Sequence, residues 1–141
     1  EMIDFYHIPV KQIQEIKNGA DYLTPDGALI LNEHLTYPGN PARRYAYCSD
    51  TAYAPEIIPY IKDVDLLYHE ATFAESELMR AEETFHSTAR QAAEIAAAAG
   101  VKKLMIGHYS SRYSEIGTLL KEALAVFPHT ELAVEGKIVS L

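Results

Sequence analysis

From Arg43 onward the chain runs three times through one pattern: a short apolar run, a polar loop, and a helical stretch. Tyr45-Ala46-Tyr47-Cys48 leads to Ser49-Asp50-Thr51, and Pro55 then suits the first turn of a short helix. Val64-Asp65-Leu66-Leu67-Tyr68 leads to His69-Glu70-Ala71-Thr72 and a helix through about Arg80. Thr88-x-x-Gln91 is a capping box that opens an alanine-rich helix ending at Gly100. Lys102 to Ile106 reads as a strand that delivers Gly107-His108, after which Ser114 caps a helix reaching about Phe127, before Pro128. This alternation predicts an α/β layer architecture. Ligands of such sheets gather at the carboxyl edge of the strands. Asp50, His69, Glu70 and His108 each fall just past the end of an expected strand.

The remaining segments are read the same way. Val10 to Lys17 has helical spacing and stops at Asn18-Gly19. Thr24-Pro25-Asp26-Gly27 is a turn ahead of a strand at Ala28-Leu29-Ile30-Leu31. Tyr37-Pro38-Gly39-Asn40-Pro41 is the nearest thing to an internal linker. Leu132-Ala133-Val134 and Lys137-Ile138-Val139 predict a hairpin turning at Glu135-Gly136. A length of 141 residues suggests one domain, and strand-like apolar residues directly after Glu1 suggest a piece of a longer chain. No apolar run approaches the roughly 20 residues of a membrane span, and no signal segment opens the chain. The lone Cys48 fits a reducing compartment, so the expected location is cytoplasmic. A formal net charge of -8 argues against a protein that coats nucleic acid, but not against an enzyme that gathers basic residues locally.

Each polar candidate has a plain structural reading when taken alone. Asp50 suits a helix cap or turn, His108 a core or loop histidine, and Glu70 beside His69 a solvated pair. His86 is an ordinary residue before a helix start, and Arg112 an ordinary surface arginine. His7, His34 and His129 have no clustered partners, and the ten tyrosines form no stacking platform for single-stranded nucleic acid.

The order of the motifs is more specific than any member. Tyr47-Cys48-Ser49-Asp50-Thr51, His69-Glu70-Ala71-Thr72, His86-Ser87-Thr88 and Gly107-His108-Tyr109-Ser110-Ser111-Arg112-Tyr113 stand in sequence. From about Ile8 to Lys137 the chain closely resembles the carboxyl-terminal half of ribonuclease Z, the tRNA 3′-processing endonuclease of the metallo-β-lactamase fold. The resemblance implies an α/β fold: half of an αββα sandwich, with a mixed sheet and flanking helices, over residues 1–141 as one partial domain. It implies that Asp50 bridges two zinc ions and that His108 completes one zinc sphere. Glu70 and His86 resemble the pair that helps protonate the leaving oxygen, and Ser87, Ser110 and Arg112 fall where the family contacts phosphates. These residue types suit the chemistry. Phosphodiester hydrolysis needs an acidified water and charge compensation, a general acid, and an arginine fork for phosphate.

The family's H-x-H-x-D-H motif and a further histidine ligand are absent from the 141 residues. The expectation is therefore that this chain alone binds zinc weakly and leaves precursor tRNA uncleaved. Apolar sheet surface, uncovered, would favour a homodimer. Two alternatives stay open on the residues: another phosphodiesterase of the same fold, and a non-catalytic half-domain that acts as a binding scaffold.

Overall fold

The Tyr37–Pro41 loop ends where the chain divides into two compact units, the second being Ala42–Leu141. The structure, a computed structural model, describes residues 2–141. The first unit begins with α1 (Met2–Phe5), a helix where strand-like residues were read. Its single turn closes through Tyr6 N donating to Met2 O at 3.0 Å, so local hydrogen bonding prevails over apolar content there. Helix α2 (Val10–Lys17) matches its expected span. Strands β1 (Tyr22–Leu23) and β2 (Leu29–Ile30) pair antiparallel around the Thr24–Gly27 turn, and α3 (Asn32–Leu35) follows. Ile8, Ile16 and Tyr22 form the buried centre of this unit.

The second unit carries the repeating pattern. In order come β3 (Tyr45–Cys48), a 3₁₀ helix (Pro55–Tyr60), β4 (Leu66–Glu70), α4 (Leu78–Glu83), α5 (Ala89–Ala99), β5 (Leu104–Gly107), α6 (Gly117–Leu124) and β6 (Thr130–Leu132). The four strands form one sheet in the order β3-β4-β5-β6, and every neighbouring pair is parallel. The antiparallel pairing lies in the separate β1–β2 pair of the first unit.

Helix α5 starts and stops as its sequence dictates. Thr88 and Gln91 make both bonds of the capping box, and Gly100 takes φ 64°, the left-handed conformation that ends a helix cheaply only in glycine. Ala92, Ala93, Ala96 and Ala99 are buried, and their small side chains let the helix lie close to the sheet over Leu67, Leu104 and Ile106. Leu119 and Ala123 of α6 complete this layer. The opposite face of the sheet displays tyrosines: Tyr45 is 52% and Tyr47 63% exposed, and Tyr47 stacks on Tyr68 with ring centroids 4.6 Å apart. Gly107 is required beside that stack, because a Cβ there would overlap the Tyr68 ring.

Several boundaries differ from the sequence reading. Strand β4 begins at Leu66 and ends at Glu70, so His69 and Glu70 are its last two residues rather than the start of a loop. Helix α6 begins after Ile116 and has no side-chain cap, so Ser114 does not cap it. The expected tail hairpin is absent among the described residues. Leu104 N donates to His129 O and Ala133 N donates to Ile106 O, which commits the segment to β5 as a parallel strand. The Glu135-Gly136 turn remains, and Lys137 reaches back to Glu131 at 2.8 Å.

The amino-terminal edge of the sheet is held by Asp65. Its carboxylate accepts from Lys102 Nζ at 2.7 Å and Arg44 N at 2.8 Å, with Arg43 at 3.5 Å. The Lys102 hydrogen bond, then the Arg44 amide, hold this carboxyl at about 2 against an ordinary value of 3.8. A carboxyl depressed by folding stabilises the fold above its unfolded value, and the contribution is lost as pH falls from about 4 toward 2. The thermal midpoint of Asp65→Asn is therefore expected to lie below that of the unaltered protein at pH 7, with the gap closing near pH 2. A gap unchanged across that range would contradict the assignment.

Candidate metal centre

Alternation along β4 separates two neighbours in sequence. His69 lies on the same face as Cys48 and Ile106, its register partners, under the helices. It is fully buried, Nδ1 is 2.8 Å from the Glu70 carbonyl, and Nε2 has no hydrogen-bond partner. Burial pushes its ionisation down more than the Glu70 carbonyl and charge raise it, so the ring is neutral in the fold at neutral pH. His69 therefore belongs to the packed layer and not to the ligand edge.

Glu70 points the other way and organises the edge. It too is fully buried. Oε1 accepts from Thr51 N at 2.7 Å and pairs with His86 Nδ1 at 2.9 Å. Oε2 accepts from Thr72 Oγ1 at 2.6 Å and Ser87 N at 3.1 Å. Burial alone would raise its ionisation, but the bonds from Thr72, His86, Ser87 and Thr51 outweigh burial and hold the carboxyl below its ordinary value. One carboxylate thus ties the loop after β3, the end of β4 and the turn before α5.

Asp50 stands two residues past β3 and His108 directly past β5, and each has a positive φ, 51° and 60°. Such backbone is uncommon outside glycine and costs free energy, so it persists where surroundings impose it. The result is convergence: His108 Nε2 lies 3.3 Å from Asp50 Oδ1, and the His86 and His108 rings are 5.3 Å apart. Asp50, His86 and His108 each offer a ligand atom, all within 4.8 Å of one another. Because Glu70 engages His86 Nδ1, Nε2 is the free nitrogen of that ring. A carboxylate oxygen with two imidazole nitrogens suits a borderline divalent ion such as zinc, and a carboxylate behind a histidine is the usual support for a ligand of this kind. The donor set fits a metal.

The residues assigned to phosphate are placed differently from one another. Ser110 and Arg112 line a cleft of about 200 Å³ with Phe73, Ser76, Glu77 and Tyr113. Tyr113 fixes one wall by accepting from Ala74 N at 2.8 Å. Ser87 does not join them. Its side chain is fully buried and the hydroxyl donates to Thr51 O at 2.7 Å, so it braces the Asp50 loop from within. Two contributors escaped the sequence reading, Thr51 through its backbone amide and Thr72 through its hydroxyl. The signal for Thr72 was its spacing two residues beyond Glu70.

The parallel strands thus present a carboxylate and two imidazoles at one edge, a donor set able to hold a divalent ion. The family model described as "Beta-lactamase superfamily domain" matches residues 34–109, and the chain belongs to that superfamily. The metallo-beta-lactamase fold protein YhfI from Bacillus subtilis superposes with a TM-score of 0.64 at 26% identity, over 70% of this chain and 40% of that one. Within the superfamily, the chain is 59% identical to Ribonuclease Z of Bacteroides fragilis over 141 residues, all of this chain and 46% of that protein. It is 61% identical to Ribonuclease Z of Parabacteroides distasonis over the same length, again 46% of the relative. The chain thus spans about half the length of these relatives. No helix among the described residues is long and apolar enough to cross a membrane.

Proposed function

We propose that the complete protein is a zinc-dependent endoribonuclease that removes the 3′ trailer from precursor tRNA. The observation that carries this reading is the Glu70 network, which holds His86 directly and brings Asp50 and His108 to the same edge. Identity near 60% along the whole chain to proteins named Ribonuclease Z supports the same conclusion. Asp50, with two carboxylate oxygens, would serve two ions, and His108 one. Bound zinc would supply acidification of water and positive charge beside the phosphoryl oxygens. In place of a ligand role, His86 with Nδ1–H held by Glu70 would carry a second proton on Nε2 and give it to the departing 3′ oxygen as hydroxide, formed from the acidified water, adds to phosphorus and the bond to that oxygen breaks. Arg112 and Ser110 border the cleft where flanking phosphates would lie, and a guanidinium fork matches their geometry.

Two catalytic zinc ions would generally take about six protein ligands, three for each, and Asp50, His108 and at most His86 supply three residues. Calorimetric titration of this 141-residue chain is therefore expected to show weak zinc binding at most; two tight sites would contradict this. The exposed Tyr45–Tyr47 face suits a homodimer in the cytoplasm, which light scattering would check. The function itself is tested by cleavage of a precursor tRNA by the full-length protein, alongside a small phosphodiester. Hydrolysis of the latter only would favour a different phosphodiesterase, and hydrolysis of neither a binding scaffold.

A further inference from the structure

Thr72 has the most crowded hydroxyl in the site. Its Oγ1 lies 2.6 Å from Glu70 Oε2, 2.9 Å from His108 Nδ1, 2.9 Å from His108 O and 3.4 Å from His86 Nδ1. A hydroxyl has one proton to give and two lone pairs to accept with. The proton goes to Glu70, the closest acceptor and an ionised one, at the length expected of a charge-assisted bond. His86 Nδ1 already has a nearer partner in Glu70 Oε1, and the His108 carbonyl has no proton to donate. His108 Nδ1 is left, and toward an oxygen whose proton is spent it must be the donor.

We infer that Thr72 is a positioning residue that fixes the tautomer of His108: Nδ1–H donates to Thr72 Oγ1, and Thr72 donates to Glu70. The Nε2 lone pair of His108 then faces Asp50 Oδ1 at 3.3 Å, two acceptors opposed across a gap that a cation would fill. The other tautomer would donate Nε2–H to Asp50 and block the ligand atom. Glu70 therefore sets both rings, His86 by direct contact and His108 through the threonine hydroxyl. A carboxylate acting behind a metal-ligating histidine raises its basicity as well as orienting it. This role rests on the reading of His108 as a metal ligand.

The test uses the full-length protein with ¹⁵N-labelled histidine, free of metal and at a pH where the rings are neutral. Long-range ¹H–¹⁵N correlation reports which nitrogen of His108 is protonated, and competition with a chelator reports zinc affinity. The unaltered protein and Thr72→Ser are expected to show Nδ1–H and similar affinity. Thr72→Val should move His108 toward Nε2–H and weaken zinc binding about 10–100-fold. An Nε2–H ring in the unaltered protein, or a valine variant with tautomer and affinity unchanged, would overturn the inference. Should the valine variant fail to fold, the tautomer in the unaltered and serine proteins still decides. RNA cleavage is not read here, so a protein with this coupling that leaves precursor tRNA intact refutes the proposed function and not the role of Thr72.

Discussion

Replacing Glu70 with glutamine is expected to lower folding stability by about 2–5 kcal/mol, because each stranded buried donor costs about 1–3 kcal/mol. Both carboxylate oxygens are in use, and each faces two partners. Oε1 takes Thr51 N and His86, and Oε2 takes Thr72 and Ser87 N. A glutamine offers one acceptor and one NH₂ group, so in either orientation its NH₂ meets a backbone amide that cannot turn away. The Thr72 hydroxyl or the His86 ring can rotate or change tautomer, but only by abandoning its present role. Denaturant unfolding of the full-length protein would measure the loss. The pH dependence has a definite sign. Folding depresses the Glu70 carboxyl, so its contribution is complete above the ordinary carboxylate range and fades as pH falls through its depressed value. The stability gap between the unaltered protein and Glu70→Gln should narrow on acidification. A variant as stable as the parent at pH 7 would show that the network is not what holds these loops.

The second large effect concerns His86. His86→Ala should lower kcat for precursor tRNA by about 10²–10⁴, the range associated with loss of a positioned general acid. Stability should fall far less than for Glu70→Gln, since Glu70 keeps three of its four partners. The diagnostic lies in the leaving group. A nucleoside 3′ oxygen departs poorly without a proton, whereas p-nitrophenolate needs none. Hydrolysis of bis(p-nitrophenyl) phosphate should therefore be nearly unaffected by the alanine substitution. His86 also lies within ligand reach of Asp50 and His108, so the comparison separates two roles. Equal losses on both substrates, with zinc affinity reduced, would make His86 a metal ligand and not the acid.

Much of this arrangement is written in local chemistry. The capping box at Thr88 and Gln91 and the glycine at position 100 gave the bounds of α5, because both signals act within one helical turn. The apolar runs that became β3, β4 and β5 were legible for a similar reason, being short apolar segments bounded by polar loops, although only β4 and β5 are buried. The tail was misread because strand partners are not local. Alternation on either side of Glu135-Gly136 satisfies a hairpin, yet Leu132 gains more by pairing with Ile106 in the sheet already formed. The start of α6 was misread in the same spirit: Ser114 is a good cap by type, but the chain enters the helix after Ile116 without one.

The candidate site divides along the same line. Asp50, Glu70, His86 and His108 were found through the order of their motifs, and they converge. Ser87 was assigned to phosphate by its place beside His86, while its hydroxyl is spent on Thr51 O, 36 residues away. Thr72 is equally distant in sequence from His108, and nothing in the sequence reports that separation closing to 2.9 Å. His69 was placed at the ligand edge because the strand was ended two residues early. Extending β4 to Glu70 turns His69 into the helix layer and Glu70 toward His86.

The most direct measurement is cleavage of a precursor tRNA carrying a 3′ trailer by the full-length protein in zinc, with Asp50→Ala and His108→Ala beside it. The account predicts release of the trailer by the unaltered protein, and loss of both cleavage and bound zinc in each variant while the fold survives. Trailer release that persists undiminished in either variant, or a zinc-loaded protein that leaves the precursor whole, would contradict it.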